Sequence, residues 1–241
     1  MYGIVYITVK RYIRLACIPY GNEDDTMTDV KSKEASKKES KKGSKKGMTV
    51  DVQPLRTATD IAEFREALTV AGKAPGQMNQ SARNLLLFNI GINTGLRIGD
   101  IVKLRVADVR GRSSLIIRED KTEKNRTVHL TALMADIADY LTADGNNDGN
   151  NDDYLFPSRK GDGCITTTQA YRILAKAADL IGRDDIGTHT LRKTFGYHYY
   201  QRTHDVATLM EIFNHSDQAT TKRYIGIRDK EIADSLKDFK L

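Results

Sequence analysis

Residues 189–198 read HTLRKTFGYH, and residues 214–224 read NHSDQATTKRY. In the first stretch His189 and Arg192 are three residues apart, a spacing that places two side chains on one face of a helix. Both could therefore contact the same phosphate, while Leu191 and Phe195 would face the core. Taken alone, such a pair is more often an ordinary basic patch on a helix surface.

The second stretch places a histidine just after a predicted helix. Leu209, Ile212 and Phe213 have the apolar spacing of a helix face, His215 follows them, and Tyr224 comes nine residues later. The residues between the histidine and the tyrosine predict a helix cap and a turn. By itself Tyr224 is more often a packing residue than a nucleophile.

Two further signals come earlier in the chain. The stretch TGLRIGD at residues 94–100 places Arg97 directly after a glycine turn, with Asp100 three residues further on. An exposed ion pair at that spacing would add little stability. Lys121 lies in a predicted turn of residues 121–125, between predicted strands at 114–118 and 126–130. Most lysines at such a position are simply solvated.

These residue types suit chemistry at a phosphodiester. Cleavage of the phosphodiester builds negative charge on its non-bridging oxygens, and fixed cationic donors can stabilise that charge without a metal ion. Arginine is well suited to this task because its planar fork makes paired hydrogen bonds and stays charged. A histidine and a nucleophile nearby would complete such a site.

The order of these signals is more informative than any one of them. TGLRIGD, HTLRKTFGYH and NHSDQATTKRY together resemble three motifs of the tyrosine recombinase (phage integrase) family, over roughly residues 54–224. The sequence departs from the family pattern in two places. Asn214 replaces a glycine, and asparagine is the residue after glycine that best tolerates positive φ. Lys193 replaces a second histidine at a position that is not among the catalytic ones.

The resemblance implies a role for each of these side chains. Tyr224 would attack the scissile phosphate and become linked to the 3′ end of the DNA, and Lys121 would protonate the leaving oxygen. The phosphate would be held by Arg97, Arg192 and His215, while His189 accepts the tyrosine proton. Asp100 would orient Arg97. Because the covalent intermediate conserves the energy of the broken bond, no ATP, metal or other cofactor is expected.

The periodicity predicts a mostly helical α+β fold with a small antiparallel β-sheet. Thr59 or Asp60 is expected to cap a first helix, and a second is expected to begin at Ser81 and to end near Gly91 or Gly95. A short helix should follow Arg97, and longer ones should span residues 132–141 and 166–181. The remainder of the chain is expected to form short helices.

Composition divides the chain near residue 48. Residues 31–47 read KSKEASKKESKKGSKKG and cannot bury enough apolar surface to fold, so residues 1–47 are predicted to be a disordered, lysine-rich tail. The tail carries 11 basic and 6 acidic residues, a net charge of +5, out of +6 for the whole chain. It is either a solubilising leader or a loose, non-specific hold on DNA phosphates. The lysines expected to contact DNA are Lys37, Lys38, Lys41, Lys42, Lys45 and Lys46.

Residues 48–241 are predicted to form the catalytic domain, ending in an amphipathic tail at residues 225–241. By family resemblance this tail would pack onto a neighbouring protomer and couple the active sites of a homo-tetramer on double-stranded DNA. The alternative is an ordinary C-terminal helix on its own domain. Accessory DNA-bending proteins are further expected partners. The sequence shows no separate DNA-clamping domain and so resembles the short, catalytic-domain-only members of the family.

Two other features limit the class of protein. Lys10, Arg11 and Arg14 interrupt the apolar residues 1–20, which argues against both a membrane span and a signal peptide. Cys17 and Cys164 form no metal-binding cluster. A cytoplasmic, nucleoid-associated protein is therefore expected.

Three rival functions are a type IB topoisomerase, a non-catalytic DNA-binding regulator and a basic RNA-binding protein. A type IB topoisomerase uses the same catalytic set but would relax any plasmid as a monomer. A non-catalytic DNA-binding regulator is disfavoured because every catalytic residue is present. A basic RNA-binding protein would need a stacking motif that the sequence lacks.

Overall fold

The computed structural model describes residues 51–73, 80–118, 125–143, 150–159, 161–227, 231, 233–234 and 236–240. All of them fall within one compact unit, Gly47–Leu241. Within the described residues the helices are α1 (Ala58–Gly72), α2 (Ser81–Thr94), α3 (Ile98–Val102), α4 (Val106–Val109), α5 (Met134–Thr142), α6 (Thr167–Leu180), α7 (Thr188–Thr203), α8 (Val206–Phe213) and α9 (Gln218–Tyr224). A 3₁₀ turn, Thr131–Leu133, precedes α5. The predicted mostly helical α+β fold is confirmed.

Helix α1 begins earlier than the sequence analysis expected. The cap is Thr57, not Thr59 or Asp60: its hydroxyl accepts from the Asp60 backbone N–H at 3.0 Å. The Asp60 carboxylate in turn accepts from the Thr57 backbone N–H at 3.0 Å, which completes a capping box. With the helix beginning at Ala58, Phe64 and Leu68 lie on its buried face, in the main core.

Helices α1 and α2 pack together, and α7 packs on α2. The rings of Phe64 and Phe88 meet at 5.2 Å between the first two helices. Helix α2 ends at Thr94 and is capped by Gly95, one of the two predicted end points, which has φ +62°. A Cβ atom there would lie 2.5 Å from the ring of Phe195 on α7, so both backbone and packing require glycine. This close approach brings the segment around Arg97 next to α7.

Strands β1 (Ser114–Arg118) and β2 (Asn125–His129) form an antiparallel hairpin. Leu115 pairs with Val128 and both are buried, whereas Ile116 is exposed, as the alternation of a half-buried strand requires. The second strand begins one residue earlier than predicted, so Asn125 belongs to it and not to the turn. Lys121 lies outside the described residues.

A second apolar cluster surrounds Tyr224. Its buried members come from α7, α8 and the residues after α9: Tyr197, Tyr200, Leu209, Phe213, Ile225 and Ile227. Helix α7, with 16 residues, is much longer than the short pieces expected for this region. Ile225 and Ile227 thus pack on their own domain, while Leu236 and Phe239 are 56% and 66% exposed. Among the helices that the structure describes, none is both long and apolar enough to cross a bilayer.

Candidate active site

Helix α7 brings His189 to the side chain of Tyr224. The Nδ1 atom of His189 lies 3.0 Å from the Tyr224 hydroxyl oxygen, within hydrogen-bond range. The two rings meet edge to face, with 6.2 Å between their centroids. His189 is exposed on the surface of the helix. The residue predicted to accept the tyrosine proton is therefore in direct contact with the residue predicted to lose it.

Arg192, one turn further along α7, joins the other two motifs. Its guanidinium donates to the carbonyl oxygen of Gly95 at 2.6 Å and to that of Phe213 at 2.9 Å. It also stacks on the Phe213 ring, 4.4 Å from the centroid, and the residue is only 3% exposed. Arg192 therefore ties the end of α2 to the end of α8, a structural role that sequence analysis did not predict.

His215 is positioned by the left-handed turn that ends α8. Asn214 adopts φ +50° and ψ +48°, as expected for the residue that replaces a glycine. The Nδ1 atom of His215 lies 3.0 Å from the hydroxyl oxygen of Thr221, a buried residue of α9. The His215 ring lies 5.3 Å from the Tyr224 ring. The Thr221 hydroxyl thus holds one nitrogen of the imidazole and fixes the orientation of the ring beside Tyr224.

The Thr221 hydroxyl gives the first testable prediction. We expect Thr221→Val, which keeps the shape but removes the hydroxyl, to slow DNA cleavage about two- to tenfold, the range for losing one hydrogen bond. Thr220→Val is the matched control, because its hydroxyl bonds the exposed Asp217 carboxylate and not His215. Single-turnover cleavage rates test this, and equal rates for the two variants would contradict the positioning of His215 by Thr221.

Burial and neighbouring charges shift the pKa of Tyr224 in opposite directions. Burial raises the pKa of Tyr224 above its ordinary value, while the positive charges of Arg192 and Arg97 lower it. Burial is the larger effect, so the isolated protein keeps this hydroxyl protonated near neutral pH. The proton must therefore be removed during any attack, and His189 is the group in contact with it.

Arg97 caps the N-terminus of α3 in extended backbone conformation, and Asp100 lies buried in the first turn of that helix. The Asp100 backbone N–H donates to the Arg97 carbonyl oxygen at 3.0 Å. Of the six predicted catalytic residues, His189, Arg192, His215 and Tyr224 are linked by direct contacts or through Phe213. Arg97 acts on Tyr224 through its charge. The six tail lysines, like Lys121, lie outside the described residues.

The structure places several residues at or near this site that were not predicted from the sequence. Thr221 and Phe213 contact predicted site residues, and Lys193 lies over the Tyr224 ring. The paired threonines before the tyrosine were a readable signal for Thr221. The contacts of Phe213 and Lys193 had no such signal.

A basic cleft outside this site was also missed. Arg83, Arg159 and Arg172 line a cavity of about 560 Å³ together with Ser158, Thr166 and Gln169. Burial lowers the pKa of Arg83, and the nearby charge of Arg159 lowers it further, against an opposing effect of Tyr140. Mutually repelling arginines around an open cleft favour an anionic ligand.

The sequence of the chain matches known proteins. The phage integrase family model matches residues 62–231. The probable integrase/recombinase YoeC of Bacillus subtilis is 44% identical over 177 residues, which cover 73% of this chain and 90% of YoeC. A tyrosine recombinase of Pseudothermotoga lettingae is 29% identical over 160 residues, 65% of this chain and 54% of the relative. The chain thus spans about half the length of that relative, as it does for XerD of Brucella suis, 52% of which is covered.

Solved structures show the same fold. The XerH site-specific recombinase, in its pre-cleavage complex with difH substrate, matches with a TM-score of 0.56 and 24% identity, over 76% of this chain and 53% of XerH. The XerA recombinase matches with a TM-score of 0.53 and 22% identity, over 78% of this chain and 65% of XerA. The chain belongs to the phage integrase family of tyrosine recombinases, and the family predicted from the three motifs is confirmed.

Proposed function

We propose that this protein is a site-specific DNA recombinase that cleaves and rejoins DNA through a 3′-phosphotyrosine intermediate, in integration, excision or inversion. One observation carries the proposal: the Tyr224 hydroxyl lies 3.0 Å from His189 Nδ1, in a cluster with the guanidinium of Arg192 and the imidazole of His215. The names of the relatives, integrase/recombinase and tyrosine recombinase, support the same activity.

In the proposed reaction, the Tyr224 oxygen attacks the scissile phosphorus and its proton passes to His189 Nδ1. The bond from phosphorus to the 5′ oxygen breaks, and that oxygen takes a proton from Lys121 to leave as a hydroxyl. Arg97, Arg192 and His215 stabilise the charge on the non-bridging oxygens. The 3′ phosphate remains on Tyr224, and attack by another 5′ hydroxyl reverses each step to rejoin the strands.

The assignment of Lys121 rests on where its hairpin is attached. Strand β2 is anchored beside the Arg97 motif, because Arg126 donates to the carbonyl oxygen of Thr94 at 2.6 Å. Lys121 lies in sequence between the paired residues Arg118 and Asn125. Since Arg126 is next to the last strand pair, Arg118 and Asn125, the hairpin is held beside the site at the end that leads to Lys121, and we propose that this lysine reaches the leaving oxygen.

We propose double-stranded DNA as the substrate, held in part by the cleft of Arg83, Arg159 and Arg172. Arginine at such a position makes paired hydrogen bonds to phosphate. The XerH recombinase has been solved in complex with difH substrate, and a lambda integrase dimer with a COC′ core site, which supports a DNA substrate. A DNA-acting protein of this kind would lie in the cytoplasm, associated with the nucleoid.

The proposed assembly is a homo-tetramer on DNA, in which part of the C-terminal segment packs on a neighbour, with accessory DNA-bending proteins as further partners. Leu236 and Phe239 are exposed apolar side chains that a second protomer could cover. Ile225 and Ile227 are already buried in their own domain. Only the part after residue 227 is therefore proposed to exchange.

The proposed role of the N-terminal lysines gives a second prediction. Each neutralised phosphate contributes about 0.9 to the slope of log affinity against log salt on duplex DNA. If only some of the eight lysines between residues 31 and 46 bind phosphates at the same time, deletion of residues 1–47 should reduce this slope by about two to four units. Discrimination between the target site and random DNA should stay the same, because phosphate contacts carry no base information.

The measurement is the affinity of the full-length and the truncated protein for target-site DNA and for random DNA across a salt series. A full-length variant with serine at the six positions Lys37, Lys38, Lys41, Lys42, Lys45 and Lys46 separates the loss of charge from the loss of chain. An unchanged slope would reduce the tail to a solubilising leader, and a lost site preference would mean that the tail reads bases.

The proposed activity is tested with a nicked suicide substrate made from the DNA that flanks the gene. We expect a covalent protein–DNA adduct that survives denaturation and forms equally well with a chelator present. If none of the flanking fragments formed an adduct, the proposal would be contradicted. Relaxation of an unrelated plasmid by the monomeric protein would instead favour a type IB topoisomerase activity.

A further inference from the structure

Lys193 lies on the same face of α7 as His189, one turn further along. His189 contacts the hydroxyl of Tyr224, and the Lys193 ammonium lies 5.6 Å from the centroid of the Tyr224 ring. His189 thus contacts the hydroxyl of Tyr224, and Lys193, on the next turn of the same helix, lies over its ring. The family pattern often has a histidine where this chain has Lys193.

The ammonium of Lys193 is fixed by the segment that precedes α1. Its side chain is 15% exposed, and Nζ donates to the carbonyl oxygen of Val52 at 2.5 Å. The carboxylate of Asp51 lies 3.8 Å away but is itself largely exposed. A lysine with a buried stem and a backbone acceptor cannot move freely, so its charge stays beside the ring.

The segment at residues 51–56 is itself anchored. The Leu55 backbone N–H donates to the buried hydroxyl of Thr194 at 2.9 Å, and that of Gln53 donates to the Asp185 carbonyl oxygen at 2.9 Å. At its end, Arg56 reaches the carbonyl oxygen of Gly226, two residues after the tyrosine, at 3.4 Å. The segment therefore contacts both the helix that carries Lys193 and the turn that follows Tyr224.

A cation within about 6 Å of an aromatic ring is attracted to it, and the attraction grows when the ring becomes a phenolate. The ionisable groups facing Tyr224 are His189, Arg192 and Lys193 from α7, Arg97 from the start of α3, and His215 from the turn before α9. Asp51, beside Lys193, is the acidic group at this edge of the site. Lys193 is thus a third fixed cation beside the tyrosine, after Arg97 and Arg192.

We propose that Lys193 is a positioning residue for the nucleophile: held by the Val52 carbonyl, it orients the Tyr224 ring and favours its ionised form as the hydroxyl attacks. This inference rests on the proposed nucleophilic role of Tyr224. It assigns a purpose to a position where the family pattern alone predicted none.

The first test needs no DNA and no activity. Tyr224 is replaced by 3-fluorotyrosine, whose hydroxyl titrates at lower pH than that of tyrosine, and its single ¹⁹F signal is followed against pH. We expect Lys193→Met to raise the titration midpoint by about half to one and a half pH units, the range for losing one cation beside a ring. Lys193→Arg should keep the midpoint close to that of the parent.

Lys176→Met is the matched control, because Lys176 also donates to a backbone carbonyl, that of Ala71 at 2.9 Å, but on α6. It should leave the midpoint unchanged. Lys193→Gln keeps a donor for Val52 without the charge, so it serves if the methionine variant does not fold, and it should raise the midpoint as well. An unchanged midpoint in a folded, neutral variant overturns the inference.

The second test uses single-turnover cleavage of a suicide substrate by the full chain. Lys193→Met should cleave about ten times more slowly near neutral pH, as expected for about 1.4 kcal/mol, and should regain most of the rate as the pH rises. Lys193→Arg should restore both the cleavage rate near neutral pH and the dependence of that rate on pH. A uniform loss at every pH would overturn the inference, whereas absence of any adduct with the unmodified protein would instead contradict the proposed function, and the fluorine titration would still decide the role of Lys193.

Discussion

Tyr224→Phe is expected to abolish covalent capture of DNA while leaving DNA binding nearly unchanged. The substitution removes only the hydroxyl, which is the atom that attacks phosphorus. The ring keeps its contacts with Phe213 and His215, whose centroids lie 5.5 Å and 5.3 Å away. We therefore expect the adduct to fall below detection and the affinity for duplex DNA to change by no more than about twofold, within about 0.5 kcal/mol.

The measurement is incubation with a nicked suicide substrate, followed by separation under denaturing conditions and a binding titration on the intact duplex. Tyr199→Phe is the matched control, because Tyr199 belongs to the same aromatic cluster but stacks on Phe195. It should form the adduct at the parental rate. An adduct formed by Tyr224→Phe would assign the nucleophile to another tyrosine, such as Tyr197, Tyr199 or Tyr200 on α7.

Local sequence rules were sufficient wherever a feature depends on neighbouring residues. The spacing of His189 and Arg192 predicts that they share a helix face, and α7 contains both. Asparagine tolerates positive φ, and Asn214 adopts it. The missed start of α1 was also readable, because Thr57 and Asp60 have the spacing of a capping box. Thr59 and Asp60 are also residue types that cap helices, which led to the wrong predicted start of α1.

Contacts between distant residues could not be predicted in the same way. Arg192 donates to the carbonyl oxygens of Gly95 and Phe213, and Lys193 to that of Val52. A backbone carbonyl is present at every residue, so these acceptors leave no mark on the sequence. The pattern could therefore identify which side chains are cationic, but not that Arg192 also holds two motifs together. The basic cleft was missed for a different reason: Arg83, Arg159 and Arg172 are separated in the sequence, and only the fold brings them together.

Arg192 is for this reason a poor residue with which to measure transition-state stabilisation. It is almost fully buried, and its removal would leave the Gly95 and Phe213 carbonyl oxygens without these donors, at a cost of about 1–3 kcal/mol for each buried group. Loss of folding and loss of chemistry would then be mixed. Arg97 is only half-buried and acts on Tyr224 through its charge, so its substitution separates the two effects more cleanly.

Arg97→Ala is expected to slow covalent cleavage by roughly two to three powers of ten, the loss typical of removing one donor to the transition state. Arg97→Lys should recover only part of this loss, since lysine keeps the charge but lacks the planar fork that binds two phosphate oxygens. Single-turnover rates at saturating protein measure the chemical step apart from binding, and thermal melting reports on the fold. Both variants should melt close to the parent protein.

Arg110→Ala provides the matched control for Arg97. Arg110 is half-buried like Arg97, but its guanidinium bonds Asn151 at 3.1 Å, and it lines a groove formed with Met134, Ile137 and Leu141 at α5. Its loss should leave the cleavage rate within about twofold of the parent, as for most substitutions away from a site. If Arg97→Lys cleaved at the parental rate, a point charge would be sufficient at this position and the paired hydrogen bonds proposed for Arg97 would be wrong. If Arg97→Ala and Arg110→Ala lost the same activity, Arg97 would have no special part in the chemistry.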